Sequence, residues 1–249
     1  LTILFAVALG LNLSAQVPNY VPSDGLVAWY PFNGNANDES GNGNDGVVVG
    51  ASPIEDRHGL PFHAYEFSGN QEYISIEHDS TFISTDLTLS FWCYSAAEEF
   101  VESGSLIGWN ALLNKTSPGS NLVNRYFQVV LGTTTSALSA PYNIRSAAST
   151  GVAVDPGSSV ESAETDFIIQ PNNWYHIVTT FTDSTIQIHA DGTLIAETDL
   201  LNSRIPNNAP ILIGRPYCNQ ANCDNRYLIG LFDDFGFWNR SLTEEEILA

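Results

Sequence analysis

Residues Trp174–Glu197 have the sequence WYHIVTTFTDSTIQIHADGTLIAE. Polar and apolar side chains alternate along much of it, and β-branched and aromatic residues are frequent, which is typical of half-buried strands. The pair Asp191-Gly192 separates two alternating runs and tolerates the positive φ angles of a type I′ turn, so it predicts a β-hairpin. With a second turn at Asp183-Ser184, the whole segment predicts an antiparallel meander of three strands.

Runs of the same kind recur along most of the chain, separated by clusters of Gly, Asn, Asp, Ser and Pro. Many short strands with turn residues between them predict an all-β fold, either a sandwich of two antiparallel sheets or a barrel. The predicted strands are Leu26–Phe32, Gly46–Val49, Ala64–Phe67, Tyr73–Ile76, Leu87–Tyr94, Ser105–Asn114, Arg125–Leu131, Asp166–Ile169, Trp174–Phe181, Thr185–Ala190, Thr193–Glu197, Ile211–Gly214 and Tyr227–Trp238.

Two segments depart from the strand pattern. Thr133–Ser162 is rich in Ser, Ala, Thr and Gly and is too long for a plain turn, so it predicts a surface excursion. Such an excursion either carries binding specificity or is a mobile insertion without function. Near the end, Ser241 and Glu244 have the spacing of a capping box, which predicts one short C-terminal helix over Leu242–Leu248.

The composition excludes several classes of protein. The chain has 28 Asp and Glu against 8 Lys and Arg, a formal net charge of -20, and a single lysine, Lys115. Nucleic-acid binding needs basic side chains to neutralise phosphates, and anionic membrane surfaces repel an acidic protein in the same way. With 43% hydrophobic and 11% aromatic residues, the chain is too apolar for a disordered protein.

The apolar run Leu1–Leu13 is too short for a membrane span and is typical of a signal peptide, with Ala15 as the last residue before cleavage. A buried N-terminal strand or helix is the alternative. We therefore predict a signal-peptide remnant over 1–15, a linker over 16–24, and one domain over 25–249. The expected location is secreted or at the cell surface, without membrane insertion after signal removal and with further domains following in the same chain.

The three cysteines agree with export. Cys218 and Cys223 lie close together in a polar segment, a spacing that predicts a disulfide in an oxidising compartment. A zinc site built on the two is the alternative, but it needs further ligands that the neighbouring sequence lacks. Cys93 stands between aromatic residues, which predicts an inert buried thiol.

Several segments, taken in order, resemble laminin-G-like domains of the concanavalin A-like lectin and glucanase group. Each segment alone is weak evidence, whereas the ordered set is specific and covers the chain from Gly25 onward. The segments are Gly25–Phe32, Asn33–Gly46, Ala64–Asn70, Glu72–Ile76, Leu87–Trp92, Trp174–Val178, His189–Leu194, Ile211–Gly214 and Ile229–Ile247.

The resemblance implies a jelly-roll β-sandwich in which the first strand lies beside the last. It also implies secretion, carbohydrate or protein ligands, and a calcium ion near the rim. Asp38 and Asp233 match the family's acidic positions, so we expect calcium on their carboxylates, helped by the Gly41 carbonyl and Asn44. The alternative is an Asn/Gly turn cluster in which Asp38 forms an Asx-turn.

A catalytic site is not expected. Jelly-roll glycosidases need two carboxylates on one face, whereas the adjacent Asp233 and Asp234 of a regular strand point to opposite faces. Glu72 and Glu77 are five positions apart and also face opposite ways. No nucleophile elbow, phosphate loop or zinc motif accompanies the five histidines, for which packing or surface positions are expected. These are His58, His63, His78, His176 and His189.

Sugar-binding sites present aromatic rings together with polar hydroxyl-binding groups in a concave surface. The candidates in or beside predicted loops are Trp109, Tyr126, Tyr142, Arg145, Tyr217 and Tyr227, with Arg215 and Arg226 nearby. Trp29, Trp92, Trp174 and Trp238 lie inside strand patterns and are expected in the core.

We therefore expect a non-catalytic, calcium-stabilised binding or adhesion module whose ligand is a carbohydrate or a surface protein. The charge of -20 favours a neutral or cationic ligand. A structural or protein-binding spacer is the second hypothesis, and a glycan-active enzyme is the third.

Overall fold

A computed structural model describes residues 17–96, 109–117, 124–132, 143–150, 159–216 and 227–248. The described parts form fifteen strands, one short α-helix and one turn of 3₁₀-helix at Ser80–Phe82. The strands are β1 Leu26–Tyr30, β2 Gly46–Val49, β3 Ser52–Ile54, β4 Ala64–Ser68, β5 Tyr73–Ile76, β6 Leu87–Ser95, β7 Trp109–Ser117, β8 Asn124–Gly132, β9 Asn143–Thr150, β10 Ser159–Glu164, β11 Trp174–Phe181, β12 Thr185–Ala190, β13 Thr193–Asp199, β14 Ile211–Ile213 and β15 Ile229–Trp238, and the helix is α1 Glu244–Ile247.

The strands form two antiparallel sheets. Sheet A has eight strands in the order β13-β12-β11-β6-β15-β4-β3, with β1 also paired to β15, and sheet B has seven in the order β10-β9-β8-β7-β14-β5-β2. The first strand lies beside the last, with Tyr30 opposite Phe235, as the sequence predicts. This is a jelly-roll β-sandwich, and the fold prediction is confirmed.

The main core lies between the two sheets. In β6, Leu87, Leu89, Phe91 and Cys93 are buried and join residues of sheet B such as Val129 in one hydrophobic cluster. Because side chains alternate along a strand, the residues between them lie on the opposite face, which we call the outer face of sheet A. Burial raises the pKa of the Cys93 thiol to about 12, which agrees with the prediction of an inert buried thiol.

The meander prediction is confirmed in detail. Strands β11 and β12 have the predicted bounds, and Asp191 and Gly192 have φ angles of 47° and 76°, the two positive values of a type I′ turn. Most other predicted strands differ from the observed ones by a few residues at their ends, where hydrogen bonding rather than composition decides the boundary.

Three predictions are corrected. Part of the Thr133–Ser162 excursion forms β9 and contributes to β10, because β9 finds pairing partners on both sides, β8 and β10, and β10 pairs with β9 as the last strand of sheet B. Asp166–Ile169 does not form a strand, since only Ile169 makes an isolated bridge. The helix α1 begins two residues later than predicted, and its capping box joins Thr243 to Glu246 rather than Ser241 to Glu244.

Both ends of the described chain pack on the outer face of sheet A. Val21 from the N-terminal segment and Leu242 and Ile247 from the C-terminal segment join Trp29 and Trp238 in a second hydrophobic cluster. The Trp238 indole donates a hydrogen bond to the Pro22 carbonyl at 2.7 Å. Residues 17–24, expected to be a linker, are therefore part of the packed domain.

Some predictions concern residues outside the described ranges. The signal-peptide remnant over 1–15 and the cysteine pair Cys218 and Cys223 are among them. Within the described ranges, no helix is long and apolar enough to cross a membrane.

Gly230 allows the close approach of two central strands of sheet A. A Cβ atom there would lie 2.1 Å from the Tyr94 carbonyl oxygen of β6, and that oxygen belongs to backbone that cannot move without breaking the pairing. We expect Gly230→Ala to lower the free energy of unfolding by about 3 kcal/mol or more, measured by urea denaturation.

Gly34→Ala is the matched control for this substitution. Gly34 also has a positive φ, of 96°, but no atom lies within 4 Å of a Cβ added there. Its replacement by Ala should lower the free energy of unfolding by only about 1 kcal/mol, which is the penalty of the backbone conformation alone. Equal losses from the two variants would contradict the packing argument for Gly230.

Candidate functional site

A cavity of about 440 Å³ opens on the outer face of sheet A. Its floor is made by side chains of β1, β6, β11 and β15, and its walls come from the segment before β1, the connection between β3 and β4, the β12–β13 turn and helix α1. The residues that line it include Tyr20, Trp29, Arg57, Ser90, Trp92, His176, Asp191, Asp234, Trp238, Glu246 and Leu248. We call it the outer cavity.

Trp92 stands at the centre of the floor. His176 from β11 stacks on its ring, with centroids 5.1 Å apart and an interplanar angle of 20°. The guanidinium of Arg57 lies 4.4 Å from the ring centroid, a cation–π contact. Strands β11 and β15 flank β6 on opposite sides. His176 belongs to β11 and Arg57 is ion-paired to Asp233 of β15, so the two side chains reach Trp92 from opposite sides of β6. The ring is therefore a fixed part of the floor.

Arg57 binds two adjacent carboxylates. Its Nη1 donates to Asp233 Oδ2 and its Nη2 donates to Asp234 Oδ2, each at 2.7 Å. The pairing register of β15 with β6 shifts between Asp233 and Gly236, and Asp234 has a φ of 47°. A β-bulge of this kind re-aims a side chain, so the prediction that the two carboxylates face opposite ways is wrong.

The electrostatics of this cluster follow from its burial. Burial raises the pKa of Asp233, and the neighbouring Asp234 carboxylate raises it further, while Arg57 opposes the shift. Burial also raises the pKa of Asp234, again with Arg57 opposing. Because burial raises the pKa of both acids and they share one guanidinium, the cluster keeps a proton to higher pH than two exposed carboxylates would.

His176 is held in its neutral form. Burial lowers the pKa of His176 to about 4, and although Asp191 opposes this shift, Arg57 adds to it. The Nε2 atom of His176 lies 2.8 Å from Ser90 Oγ, a hydrogen bond across the floor of the cavity. The Asp191 carboxylate also accepts a hydrogen bond from the His176 backbone N–H at 2.9 Å, which ties the β12–β13 turn to β11.

Two donors at the outer cavity have no acceptor among the described residues. They are the indole N–H of Trp29 and the Nε–H of Arg57. Trp29 is only 4% exposed, so its N–H is shielded from bulk water. Buried donors in native proteins are nearly always paired with protein, water or a ligand. Both donor atoms are themselves inaccessible, so they are buried features of the cavity lining rather than binding groups open to a ligand.

The predicted calcium residues are engaged in other interactions. Asp38 accepts backbone hydrogen bonds from Trp29, Ser40 and Asn44 at 2.9 to 3.0 Å, and the Ser40 contact is the Asx-turn of the alternative interpretation. The Asn44 side chain donates to the Val27 carbonyl at 3.0 Å. These bonds attach the loop after β1 to β1 itself.

This arrangement does not fit a calcium ion shared by Asp38 and Asp233. Asp233 is only 1% exposed and is ion-paired to Arg57. Among the described residues, no group of three or more His, Cys, Asp or Glu side chains is placed to hold a metal ion. Gly41 has a φ of 90°, which a turn alone explains. Calcium binding stays a prediction of the resemblance.

The predicted sugar-binding residues do not come together. Tyr126 is 1% exposed and its hydroxyl donates to the Ser84 carbonyl, so it is a core residue, and Tyr227 is also buried. Arg145 lies on β9 and pairs with Glu164 at 3.0 Å. Trp109 is the first residue of β7. Tyr142 and Tyr217 lie outside the described residues.

Sequence reasoning missed the residues that do form the cavity. Trp92 was expected in the core and His176 at a packing or surface position, yet the two rings stack on the outer face. Trp29 and Trp238 are buried as expected, but in the second hydrophobic cluster rather than between the sheets. The available signal was the alternation in β6, where Trp92 is out of phase with Leu89 and Phe91.

Comparison with known proteins identifies the family. Residues 68–248 match the laminin G family model of the concanavalin A-like lectin/glucanases superfamily, which is more than half of the chain. The chain therefore belongs to this superfamily, and the resemblance inferred from its sequence is confirmed. The curated proteins contain no match.

Three solved structures illustrate the similarity of the fold. The binding domain of Paraclostridial Mosquitocidal Protein 1 is 20% identical with a TM-score of 0.67, over 91% of this chain and 51% of that one. Domain 4 of AbnA, an extracellular arabinanase from Geobacillus stearothermophilus, was solved with arabinotriose and is 16% identical with a TM-score of 0.61, over 90% and 96%. A Trypanosoma rangeli sialidase mutant displaying trans-sialidase activity is 16% identical with a TM-score of 0.65, over 92% and 33%.

At these identities the similarity concerns the fold alone. The chain spans about half the length of the toxin binding domain and a third of the sialidase chain. It spans nearly all of the arabinanase domain.

The low pKa of His176 makes stability depend on pH. Between pH 6.5 and about 4 the unfolded chain binds a proton at this residue that the folded chain does not, so stability falls as the pH falls through this window. In wild type this lowers the free energy of unfolding by up to about 3 kcal/mol across the window. We expect His176→Phe, which keeps a ring against Trp92, to remove this pH-dependent loss of stability. Urea denaturation at several pH values measures the difference from wild type.

His63→Phe, outside the cavity, is the control for this substitution and should keep the wild-type dependence on pH. The same dependence in His176→Phe would show that His176 does not resist protonation in the folded state.

Proposed function

We propose that this domain is a non-catalytic carbohydrate-binding module and that its ligand occupies the outer cavity. The observation that carries the proposal is a cavity of about 440 Å³ lined by the rings of Tyr20, Trp29, Trp92 and Trp238 together with polar side chains such as Ser90 and Asp191. Polar side chains exchange hydrogen bonds with sugar hydroxyls, and aromatic side chains stack on the apolar faces of sugars. Membership of a lectin and glucanase superfamily supports the same assignment.

Tyr20 is the side chain best placed to stack on a sugar. It lines the outer cavity and is 52% exposed, whereas Trp29, Trp92 and Trp238 are held by packing and by neighbouring side chains. The toxin binding domain and the arabinanase domain solved with arabinotriose show that the same fold occurs in binding proteins. The cavity would then combine a rigid floor with one accessible ring at its rim.

The proposal excludes catalysis in this domain. A glycosidase needs one carboxyl group to donate a proton and a second to act as nucleophile or base. Asp233 and Asp234, the adjacent acids nearest to that arrangement, are both ion-paired to Arg57, and Asp233 is almost completely buried. Recognition by hydrogen bonds needs neither proton transfer nor a free nucleophile.

A role in the secreted or surface-exposed part of a larger protein belongs to the same proposal. It is supported by the family and by the apolar run at Leu1–Leu13, which is typical of export. Calcium as a stabilising ion stays a prediction, and repeating the binding measurements with a chelator tests it directly.

Protein binding is the second candidate function. The connection between β3 and β4 exposes Leu60 and Phe62, which are 50% and 59% exposed. Phe62 also has a φ of 65°, a conformation uncommon for a bulky residue. Exposed apolar side chains held in this way suit a protein partner.

The carbohydrate proposal is tested with a glycan array, followed by calorimetry on the oligosaccharides that bind. We expect Tyr20→Ala to weaken binding by about tenfold with little change in melting temperature, because an exposed stacking ring contributes to affinity rather than to folding. Phe62→Ala, a similarly exposed aromatic that does not line the cavity, should leave the affinity unchanged.

Failure of the folded wild type to bind any glycan would overturn the proposal and favour the protein-binding alternative. Equal losses of glycan affinity in Tyr20→Ala and Phe62→Ala would contradict the assignment of the ligand to the outer cavity.

A further inference from the structure

We infer that the outer face of sheet B carries a second binding site, which recognises acidic glycans, that is, sugar chains with carboxylate or sulfate groups. This face lies on the opposite side of the sandwich from the outer cavity, and the site is independent of the ligand proposed there. Three features carry the inference: arginine side chains gathered on this face, the scarcity of acids to pair with them, and the contacts that hold their guanidinium groups in place.

The outer face of sheet B follows from the alternation of its strands. Ile74, Leu113, Val129 and Ile144 belong to the main core. The residues next to them along each strand therefore point away from the core. The strand pairing places one row of such outward residues across the sheet: Ser75 of β5, Leu212 of β14, Asn114 of β7, Gln128 of β8 and Ala147 of β9.

Three of the eight Lys and Arg residues of the chain lie on this face, and all three are partly exposed. The Nε–H of Arg125 donates to the side-chain oxygen of Gln128 at 2.9 Å. Arg145 is an outward residue of β9. Arg215 follows β14, and its guanidinium carbon lies 4.7 Å from the ring centroid of Tyr73, an outward residue of β5.

Two of these arginines are attached to neighbouring positions of the sheet. Asn114 of β7 lies opposite Gln128 of β8. Residues opposite each other on antiparallel strands are about 5 Å apart. The Asn114 amide donates to the Arg215 carbonyl at 2.6 Å, while Gln128 accepts from Arg125. The row of outward residues therefore fixes Arg215 and Arg125 side by side on one face.

These two arginines have no counter-charge within the part of the chain that the structure describes. No Nη atom of Arg125 or Arg215 forms a hydrogen bond or an ion pair there. Burial lowers the pKa of Arg125, and the nearby positive charge of Arg145 adds to this shift. Arg145 itself is paired with Glu164 at 3.0 Å. An anionic ligand would relieve the repulsion between the arginines and pair the remaining Nη groups.

The charge of this face differs from that of the whole molecule. The seven described strands of sheet B contain two acids, Glu161 and Glu164, and both are on the edge strand β10. By contrast, Arg57 and Arg240 on the side of sheet A are each bound by carboxylates. At physiological ionic strength the Debye length is about 8 Å, so distant acids are largely screened. The face is therefore locally positive although the formal net charge is -20.

The contacts of the two guanidinium groups prepare them for oxyanions. A guanidinium binds carboxylate or sulfate oxygens through two parallel hydrogen bonds. Arg125 uses its Nε–H for Gln128, which leaves its two Nη groups for an anion. Arg215 is stacked on Tyr73, which restricts its side chain before a ligand binds. Such restriction lowers the conformational entropy lost on binding.

Two fixed guanidinium groups suit a ligand that repeats its negative charges. Pyranose rings hold successive carboxylate or sulfate groups at a regular spacing, whereas an acidic peptide must first lose much of its backbone freedom. The chain also belongs to a superfamily of lectins and glucanases. We therefore assign the site to an acidic glycan rather than to an acidic peptide.

The test titrates oligogalacturonate by calorimetry into the full chain at pH 7, with a chelator present so that calcium cannot bridge acidic groups. The fully methyl-esterified oligomer of equal length is the neutral control. We expect oligogalacturonate to bind at least about tenfold tighter than its ester, with an affinity that falls as salt is added. A sulfated dextran oligomer of similar charge is the second anionic probe, and the tighter of the two identifies the preferred anionic group.

Arg125→Gln and Arg215→Gln test the two guanidinium groups separately. Each should weaken binding of the anionic oligomers about tenfold while the melting temperature shows that the domain is folded. Arg125→Lys keeps the charge but loses the planar fork, so its affinity should lie between those of wild type and Arg125→Gln. Asp199→Asn, at an exposed position of β13 in sheet A, changes the net charge by the same amount and should leave the affinity nearly unchanged.

The outcomes are assigned as follows. Binding of neither anionic oligomer, or equal binding of the methyl ester, would overturn the inference. Unchanged affinity in both Gln variants would also overturn it, and equal or tighter binding of a glutamate oligomer of similar charge would assign the face to acidic peptides instead. Tyr20→Ala should leave this binding unchanged, because Tyr20 lines the outer cavity on the other sheet. The inference and the proposed function can therefore fail separately.

Discussion

Strand β15 is the element on which the rest of the structure depends, because three other strands pair with it. β6 lies along one edge, while the other edge pairs first with β4 over Ile229–Phe232 and then with β1 over Phe235–Trp238. The change of partner falls at Asp233 and Asp234, where the register shifts and Asp234 has a φ of 47°. A bulge at this point lets one strand serve two partners on the same edge, and it also turns both carboxylates toward Arg57.

The ion pair with Arg57 follows from that bulge. Buried carboxylates are costly unless a charged partner and further hydrogen bonds compensate for lost hydration. Arg57 reaches them from the connection between β3 and β4, and Asp233 Oδ1 also accepts the Asp234 backbone N–H. The guanidinium then packs against Trp92, which is held from the other side by His176. The backbone irregularity of one strand thereby determines the floor of the cavity.

The fold could be predicted from the sequence because its signals are local. The Asp191-Gly192 turn, the alternation of β11 and β12, and the ordered family segments each depend on a few neighbouring residues. The site could not be predicted in the same way. Asp233 and Asp234 would face opposite ways in a regular strand, and only the change of pairing partner at the bulge brings them together. Tyr126 stands near the end of a predicted strand and was expected to lie beside a loop, but in the structure it is buried in the core.

The paired strands position the floor of the cavity, whereas the connecting segments position its walls. Ser90, Trp92 and His176 are positioned by the β6–β11 pairing, in which His176 lies opposite Trp92, so the floor is as rigid as the sheet. The walls depend on fewer contacts, such as the Trp238 indole bond to Pro22 and the pairing of Arg240 with Glu246. Tyr20, Arg57, Asp191 and Glu246 all stand on these walls. Since Arg57, Asp191 and Glu246 come from walls and Asp234 from the bulge, substitutions at these positions can change the charge of the cavity while the regular pairing of β6 with β11 is kept.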